Sequence, residues 1–180
     1  MRTIISRDTF PLTEVFSIAR GSRTKAEVLT VKVSRDGFKG FGECVPYGRY
    51  DETPDSVAKE IQSLPEFYDR IALSSLLPAG AARNAVDCAL WDLEAKSSGL
   101  RAWELAHLKQ PAPELTAYTL TLDSPEKMER QAKKNSFRPI LKIKLGGTED
   151  LSCLEAVRRG APNSNIIIDA NEGWDIETYL

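Results

Sequence analysis

The sequence predicts an α+β domain followed by the opening of an α/β domain. Three observations predict it. Residues 1 to about 45 alternate short apolar and polar runs around Asp36-Gly37, the mark of an antiparallel meander. Residues 53–107 carry apolar residues at helical spacing. From residue 115 apolar strands and helical stretches take turns, the order that gives parallel strands joined by crossover helices.

The meander opens on a short strand at residues 2–6. Ala26-Glu27-Val28-Leu29-Thr30-Val31-Lys32-Val33 alternates as a half-buried strand should. Asp36-Gly37 supplies the positive φ of a tight turn, and residues 39–44 return as the third strand. Loops are expected over 16–25 and 46–52. Thr53 and Pro54 read as N-cap and first residue of a helix running to about residue 67. Residues 81–98 give the strongest helical pattern. Ala82, Ala85, Val86, Ala89, Leu90 and Leu93 fall on one stripe, and Gly99 ends it. A short helix is expected over 101–107, and Pro111-Ala112-Pro113 reads as a linker because proline blocks helix continuation. The predicted domains are therefore 1–112 and 113–180. In the second, strands at 115–122, 140–145 and 166–171 alternate with helices starting at Ser124-Pro125-Glu126, over 148–159 with an acidic first turn suited to the helix dipole, and over 175–180.

Composition narrows the function. Of 180 residues, 42% are hydrophobic and 28% charged, ordinary for a soluble globular protein. The net charge of −2, without a basic block, argues against nucleic acid or an anionic membrane as partner. No apolar run is long enough to span a bilayer and residues 1–6 lack the apolar core of a secretion signal; the three scattered cysteines, odd in number, lead to the expectation of a reducing, cytoplasmic setting. Cys44, Cys88 and Cys153 are scattered without metal-ligand spacing and read as structural thiols. The single histidine, His107, has no histidine partner and reads as a surface or helix-end residue.

The chemistry gathers at strand ends. In Leu141-Lys142-Ile143-Lys144-Leu145-Gly146-Gly147 side chains alternate between faces, so Leu141, Ile143 and Leu145 share one face and Lys142 and Lys144 the other. Two ammonium groups on a buried strand are costly unless something uses them; a solvated edge-strand face is the plain alternative. Ile166-Ile167-Ile168 leads to Asp169 and Asn171 at the C-terminal end of the next strand, where active sites of parallel α/β folds lie. Asp169 is either a hard-metal ligand, favouring magnesium or manganese, or a capping or loop-anchoring residue. Together the groups describe proton abstraction next to a carboxylate. Neighbouring cations and desolvation make a lysine a plausible base, and a carboxylate-held magnesium stabilises an enediolate. Asp87 and Asp92 read as structural, Trp91 and Trp174 as core, and Gly146-Gly147 as a strand-to-helix bend rather than a phosphate-binding turn.

The chain resembles the enolase superfamily, muconate-lactonising subgroup. The residues carrying the resemblance are Arg83-Asn84-Ala85-Val86-Asp87-Cys88-Ala89-Leu90-Trp91-Asp92-Leu93, Leu141-Lys142-Ile143-Lys144 and Asp169-Ala170-Asn171-Glu172-Gly173-Trp174. Within the subgroup it is most similar to the L-Ala-D/L-Glu (dipeptide) epimerases, through Ile18-Ala19-Arg20-Gly21-Ser22-Arg23, Gly42-Glu43-Cys44-Val45-Pro46-Tyr47-Gly48-Arg49-Tyr50 and Leu77-Pro78-Ala79-Gly80-Ala81-Ala82-Arg83-Asn84. The resemblance covers nearly all of the chain. It implies an α+β capping domain followed by the first three β/α units of an incomplete (β/α) TIM-type barrel. It implies one Mg2+ per site with Asp169 as its first ligand and Asn171 close by. Lys144 is implied as the acid/base for one face of the α-carbon. Lys142 would sit beside the substrate carboxylate, Thr119 would touch substrate, Arg23 would bind the acidic side chain of the glutamyl residue, and Tyr47 and Tyr50 would line a lid. The implied partner is a small dipeptide, with room for a homo-oligomer, and the implied context is murein peptide recycling.

Such a barrel has eight strands, and three are visible here. The remaining metal carboxylates and the lysine for the opposite face are implied on later strands, so the expectation is an N-terminal portion of a longer enzyme. The competing expectations are another enzyme of the subgroup, a cycloisomerase or o-succinylbenzoate synthase, and a non-catalytic truncated product. An acidic-side-chain arginine at 23 speaks against the first.

Overall fold

The structure is a computed structural model that describes residues 1–179. The elements are β1 (Arg2–Ile18), β2 (Gly21–Arg35), β3 (Phe38–Cys44), α1 (Pro54–Gln62), α2 (Arg70–Leu76), α3 (Ala81–Ser98), α4 (Ala102–Leu105), β4 (Tyr118–Leu120), α5 (Pro125–Lys134), β5 (Ile140–Lys144), α6 (Asp150–Gly160), β6 (Asn165–Asp169) and α7 (Ile176–Tyr179). They form two compact units. One holds residues 1–10 and 25–112; the other holds residues 11–24 and those from 113 onward. The end of the first hairpin thus groups with the second unit.

In the first unit the strands lie in the order β1-β2-β3. β2 and β3 are antiparallel, with Leu29 opposite Cys44, Val31 opposite Gly42 and Val33 opposite Gly40. Helix α3 lies directly on that face. A Cβ built on Gly40 would come within 2.0 Å of the Ala89 carbonyl oxygen, and one on Gly42 within 2.0 Å of the Ala85 carbonyl oxygen. Helix backbone therefore meets strand backbone, and no side chain fits between. The stripe Ala82, Ala85, Val86, Ala89, Leu90 and Leu93 is buried throughout and packs with Leu29, Val31, Val33, Val57, Ile61 and Leu73. Gly99, at φ 73°, closes the helix in the left-handed region. Asp92 Oδ2 accepts from the Phe41 amide at 2.8 Å, and Arg70 forks onto Glu94 while stacking 3.5 Å above the Trp91 ring. Asp92 and Trp91 are packing groups here. His107 is exposed just after α4.

Three expectations are corrected. The first strand is not short and the 16–25 stretch is not a loop: β1 and β2 run to a two-residue turn at Ala19-Arg20. Ladder pairing between neighbouring strands holds this segment extended although its sequence does not alternate. The first helix ends at Gln62, and a separate helix, α2, follows; the Asp69 side chain caps it by accepting from the Ala72 amide at 2.7 Å.

In the second unit β4, β5 and β6 form a parallel sheet with β5 central. Leu120, Leu141, Ile143 and Leu145 pack against Met128 and Ala132 of α5 and Cys153 and Val157 of α6. β4 is only three residues long, not eight, and the end of α7 expected at Leu180 lies outside the described residues. β6 lies at one edge of the described sheet. Ile167, beside Lys142 on the charged face, is 47% exposed, and Ile168, beside Ile143, is 40% exposed.

Candidate functional site

Strand geometry assembles a cluster of charge at the C-terminal ends of β5 and β6. In the parallel register Lys142 lies beside Thr119 and Ile167, and Lys144 beside Asp169. Paired residues on parallel neighbours share a face, so Thr119, Lys142, Lys144 and Asp169 project to the same side, away from the Leu141 and Ile143 core. Lys142 Nζ lies 2.7 Å from Asp169 Oδ2, and Lys144 Nζ donates to the same oxygen at 2.7 Å. Lys144 is buried, while the Lys142 side chain keeps 36% of its surface. The Phe16 ring lies 5.9 Å from Lys144 Nζ, giving the buried ammonium an aromatic neighbour.

Asp169 is tightly held in its ionised form. Its two lysines, Lys142 foremost, together with the Asn171 amide donating to Oδ1 at 3.0 Å, keep the carboxyl far below the usual carboxylate range against the opposing effect of burial. Asn171 and Glu172 follow in the left-handed region, at φ 50° and 63°, a conformation asparagine tolerates better than most residues. The Asn171 Oδ1 atom is buried with no hydrogen-bond partner. An aspartate and an orphaned amide oxygen suit a hard cation. Among the described residues no three His, Cys, Asp or Glu side chains converge.

The other residues singled out in the sequence are Arg23, Tyr47 and Tyr50. Arg23 is exposed and sits on β2, not in a loop, three residues beyond Arg20, whose Nη1 pairs with Glu172 Oε2 at 2.8 Å. Tyr47 and Tyr50 belong to the first unit; their rings pack edge to face with centroids 5.7 Å apart, and Tyr50 is 70% exposed. Sequence reasoning missed Phe16, which alternation had left in a loop. It also missed Asp150, whose carboxylate faces the loops after β5 and β6 rather than merely the helix dipole. An aspartate opening a helix just after two glycines was the available signal for the second.

These strand ends and the α3-on-meander unit define the class of protein. Residues 1–106 match the mandelate racemase / muconate lactonizing enzyme N-terminal domain, and the chain belongs to that family, within the enolase superfamily. It is 39% identical to the L-Ala-D/L-Glu epimerase of Escherichia coli K12, an alignment covering 98% of this chain and 57% of that protein. A crystal structure of an enolase family member from Agrobacterium tumefaciens with homology to dipeptide epimerases, holding sodium and L-Ala-L-Glu, superposes with a TM-score of 0.93 at 47% identity, over 99% of this chain and 57% of that one. The dipeptide epimerase of Cytophaga hutchinsonii, complexed with Mg and D-Ala-L-Val, gives a TM-score of 0.85 at 28% identity over 98% and 53%. The chain spans about half the length of the relatives it matches. Among the described residues no helix is long and apolar enough to cross a membrane.

Proposed function

We propose that the full-length protein is a magnesium-dependent epimerase of L-Ala-D/L-Glu or similar dipeptides, of which this chain is the N-terminal portion. The observation that carries the proposal is the convergence of Lys142 and buried Lys144 on one oxygen of strand-end Asp169. The three strand–helix units are read as the start of a (β/α) TIM-type barrel, completed by residues outside this chain.

In this reading Lys144 takes the α-proton from one face of the substrate. The C–H electron pair moves into the adjacent carboxylate, giving an enediolate, and a proton returned to the opposite face inverts the centre. The base for that opposite face lies outside this chain. Lys142 faces the substrate carboxylate and opposes the charge that develops there. Magnesium, when bound, supplies further positive charge at that carboxylate, and Asp169 is the residue that would hold it. Asn171 lines the same end, Thr119 touches substrate, Arg23 binds the acidic side chain, and Tyr47 and Tyr50 line the lid. Recycling of cell-wall peptides in the cytoplasm is the setting this reading suggests.

The test is solvent exchange. In deuterated buffer the full-length enzyme should wash deuterium into the glutamyl α-position of L-Ala-L-Glu with magnesium present, and stop on chelation. No exchange across a panel of dipeptides refutes the epimerase reading.

A further inference from the structure

Asp150 opens α6, where an acidic residue suits the helix dipole. Its carboxylate has a second occupation. Both oxygens accept from the Gly146 amide, at 3.0 and 2.9 Å; Oδ1 also accepts from the Gly147 amide at 2.9 Å, and Oδ2 from the Trp174 indole Nε1 at 2.6 Å. Gly146 stands two residues after Lys144, and Trp174 three residues after Asn171. One charged group therefore holds the segments that follow both strands of the site, through bonds stronger than neutral ones.

The two segments also touch without slack. Gly146 sits at φ 122°, where its missing Cβ would lie 3.0 Å from the Ala170 carbonyl oxygen. A Cβ on Gly173 would lie 2.9 Å from the Gly146 Cα. The Leu145 amide donates to the Asp169 carbonyl at 3.2 Å, a direct backbone bond between the two strand ends. Asp150 is itself anchored, because Cys153 and Val157 of its helix are fixed in the core.

We propose that Asp150 is a positioning residue that sets Lys144 and Asp169 relative to each other by tying the loop after β5 to the loop after β6 through Trp174. The catalytic part of this proposal rests on the epimerase reading; the tie itself does not. Reacting groups need placement to within about 0.5 Å, and a shift of about 1 Å is worth roughly a hundredfold in rate. Releasing either end of the tie should therefore reach the lysine and the aspartate without unfolding the sheet.

The experiment compares full-length wild type, Asp150→Ala, Trp174→Phe and the double variant, by amide hydrogen exchange and by α-proton exchange of L-Ala-L-Glu. Trp174→Phe keeps an aromatic side chain while removing the indole N–H together with its fused five-membered ring, and it leaves the Asp150 bonds to Gly146 and Gly147 in place, so it stands in should Asp150→Ala fold poorly. The expected result in both single variants is Leu145 amide exchange about tenfold faster. In addition, kcat should fall about tenfold to a hundredfold while KM moves by less than about threefold. The double variant should lose no more than the worse single, since both cut one link. Unchanged Leu145 protection in Trp174→Phe, or additive losses in kcat, overturns the proposal. If wild type exchanges no dipeptide, the epimerase reading alone falls, and Leu145 protection still decides the tie.

Discussion

Lys144→Met and Asp169→Asn should have opposite signatures, although they break the same ion pair. At 2.7 Å and an effective dielectric of about 20, each lysine attracts Asp169 by roughly 6 kcal/mol before desolvation is counted. Taking a buried ammonium from water costs several kcal/mol, which offsets most of that for Lys144, whose side chain is 9% exposed. The Lys142 pair, with its lysine 36% exposed, is screened and contributes at most about 1 kcal/mol. Lys144→Met removes the buried charge, keeps the volume and leaves Asp169 paired to Lys142. Its metal-free stability should change by less than about 1 kcal/mol. Asp169→Asn leaves two ammonium groups facing one neutral amide, one of them buried, and should lose about 3 kcal/mol. Urea unfolding followed by far-UV circular dichroism measures both. In the exchange assay Lys144→Met should abolish α-proton exchange from one stereoisomer. A Lys144→Met variant as unstable as Asp169→Asn, with exchange from both stereoisomers intact, would make the lysine a structural clamp and sink the acid/base assignment.

Three further outcomes are expected. Arg23→Ala should weaken kcat/KM for acidic dipeptides far more than for neutral ones; equal losses in a substrate panel cancel its assigned role. Gly42→Ala drives a methyl into the α3 backbone 2.0 Å away and should lose roughly 3 kcal/mol in urea unfolding, whereas Gly48→Ala, with nothing within 4 Å, should change stability by less than about 0.5 kcal/mol. Burial, and then the Glu52 carboxylate, push the Cys44 thiol up to about 11 from an ordinary 9.0, so the unfolded chain loses this proton first. Stability should therefore fall between about pH 9 and 11, by on the order of 2 kcal/mol relative to a Cys44→Ala variant, and an equal pH slope in that variant refutes the burial.

Much of the candidate site was legible because strand alternation is local. Lys142 and Lys144 had to share a face once Leu141 and Ile143 took the other, and Asp169 had to end the next strand once three isoleucines preceded it. The α3 stripe was legible for the same reason at helical period. What escaped depends on partners distant in sequence. The long β1–β2 hairpin is set by pairing across its turn, not by the pattern of residues 7–25. α2 lies beyond residue 67, where the first helix was expected to end, and its seven residues carry little signal besides the Asp69 cap. Ile167 is exposed because the register sets it beside Lys142 on the charged face, which a run of isoleucines does not reveal. Asp150 looked like a dipole partner because its bond to Trp174, 24 residues away, exists only after the loops following β5 and β6 have been brought together.

β5 places core and chemistry on the two faces of one five-residue strand. A slip of one residue would turn Lys142 and Lys144 onto α5 and α6 and carry Leu141 and Ile143 to the charged face. The apolar face that α5 and α6 cover therefore selects the register that delivers both ammonium groups to Asp169. That register is pinned at both ends of the β5–β6 pair, by the Asn165 amide on the Pro139 carbonyl at 2.8 Å and by the Leu145 amide on the Asp169 carbonyl at 3.2 Å. Folding of the second unit and placement of its lysines are thus one event. A substitution that weakens the Met128, Ile143 and Val157 core should reach Lys144 through register before it touches any polar group.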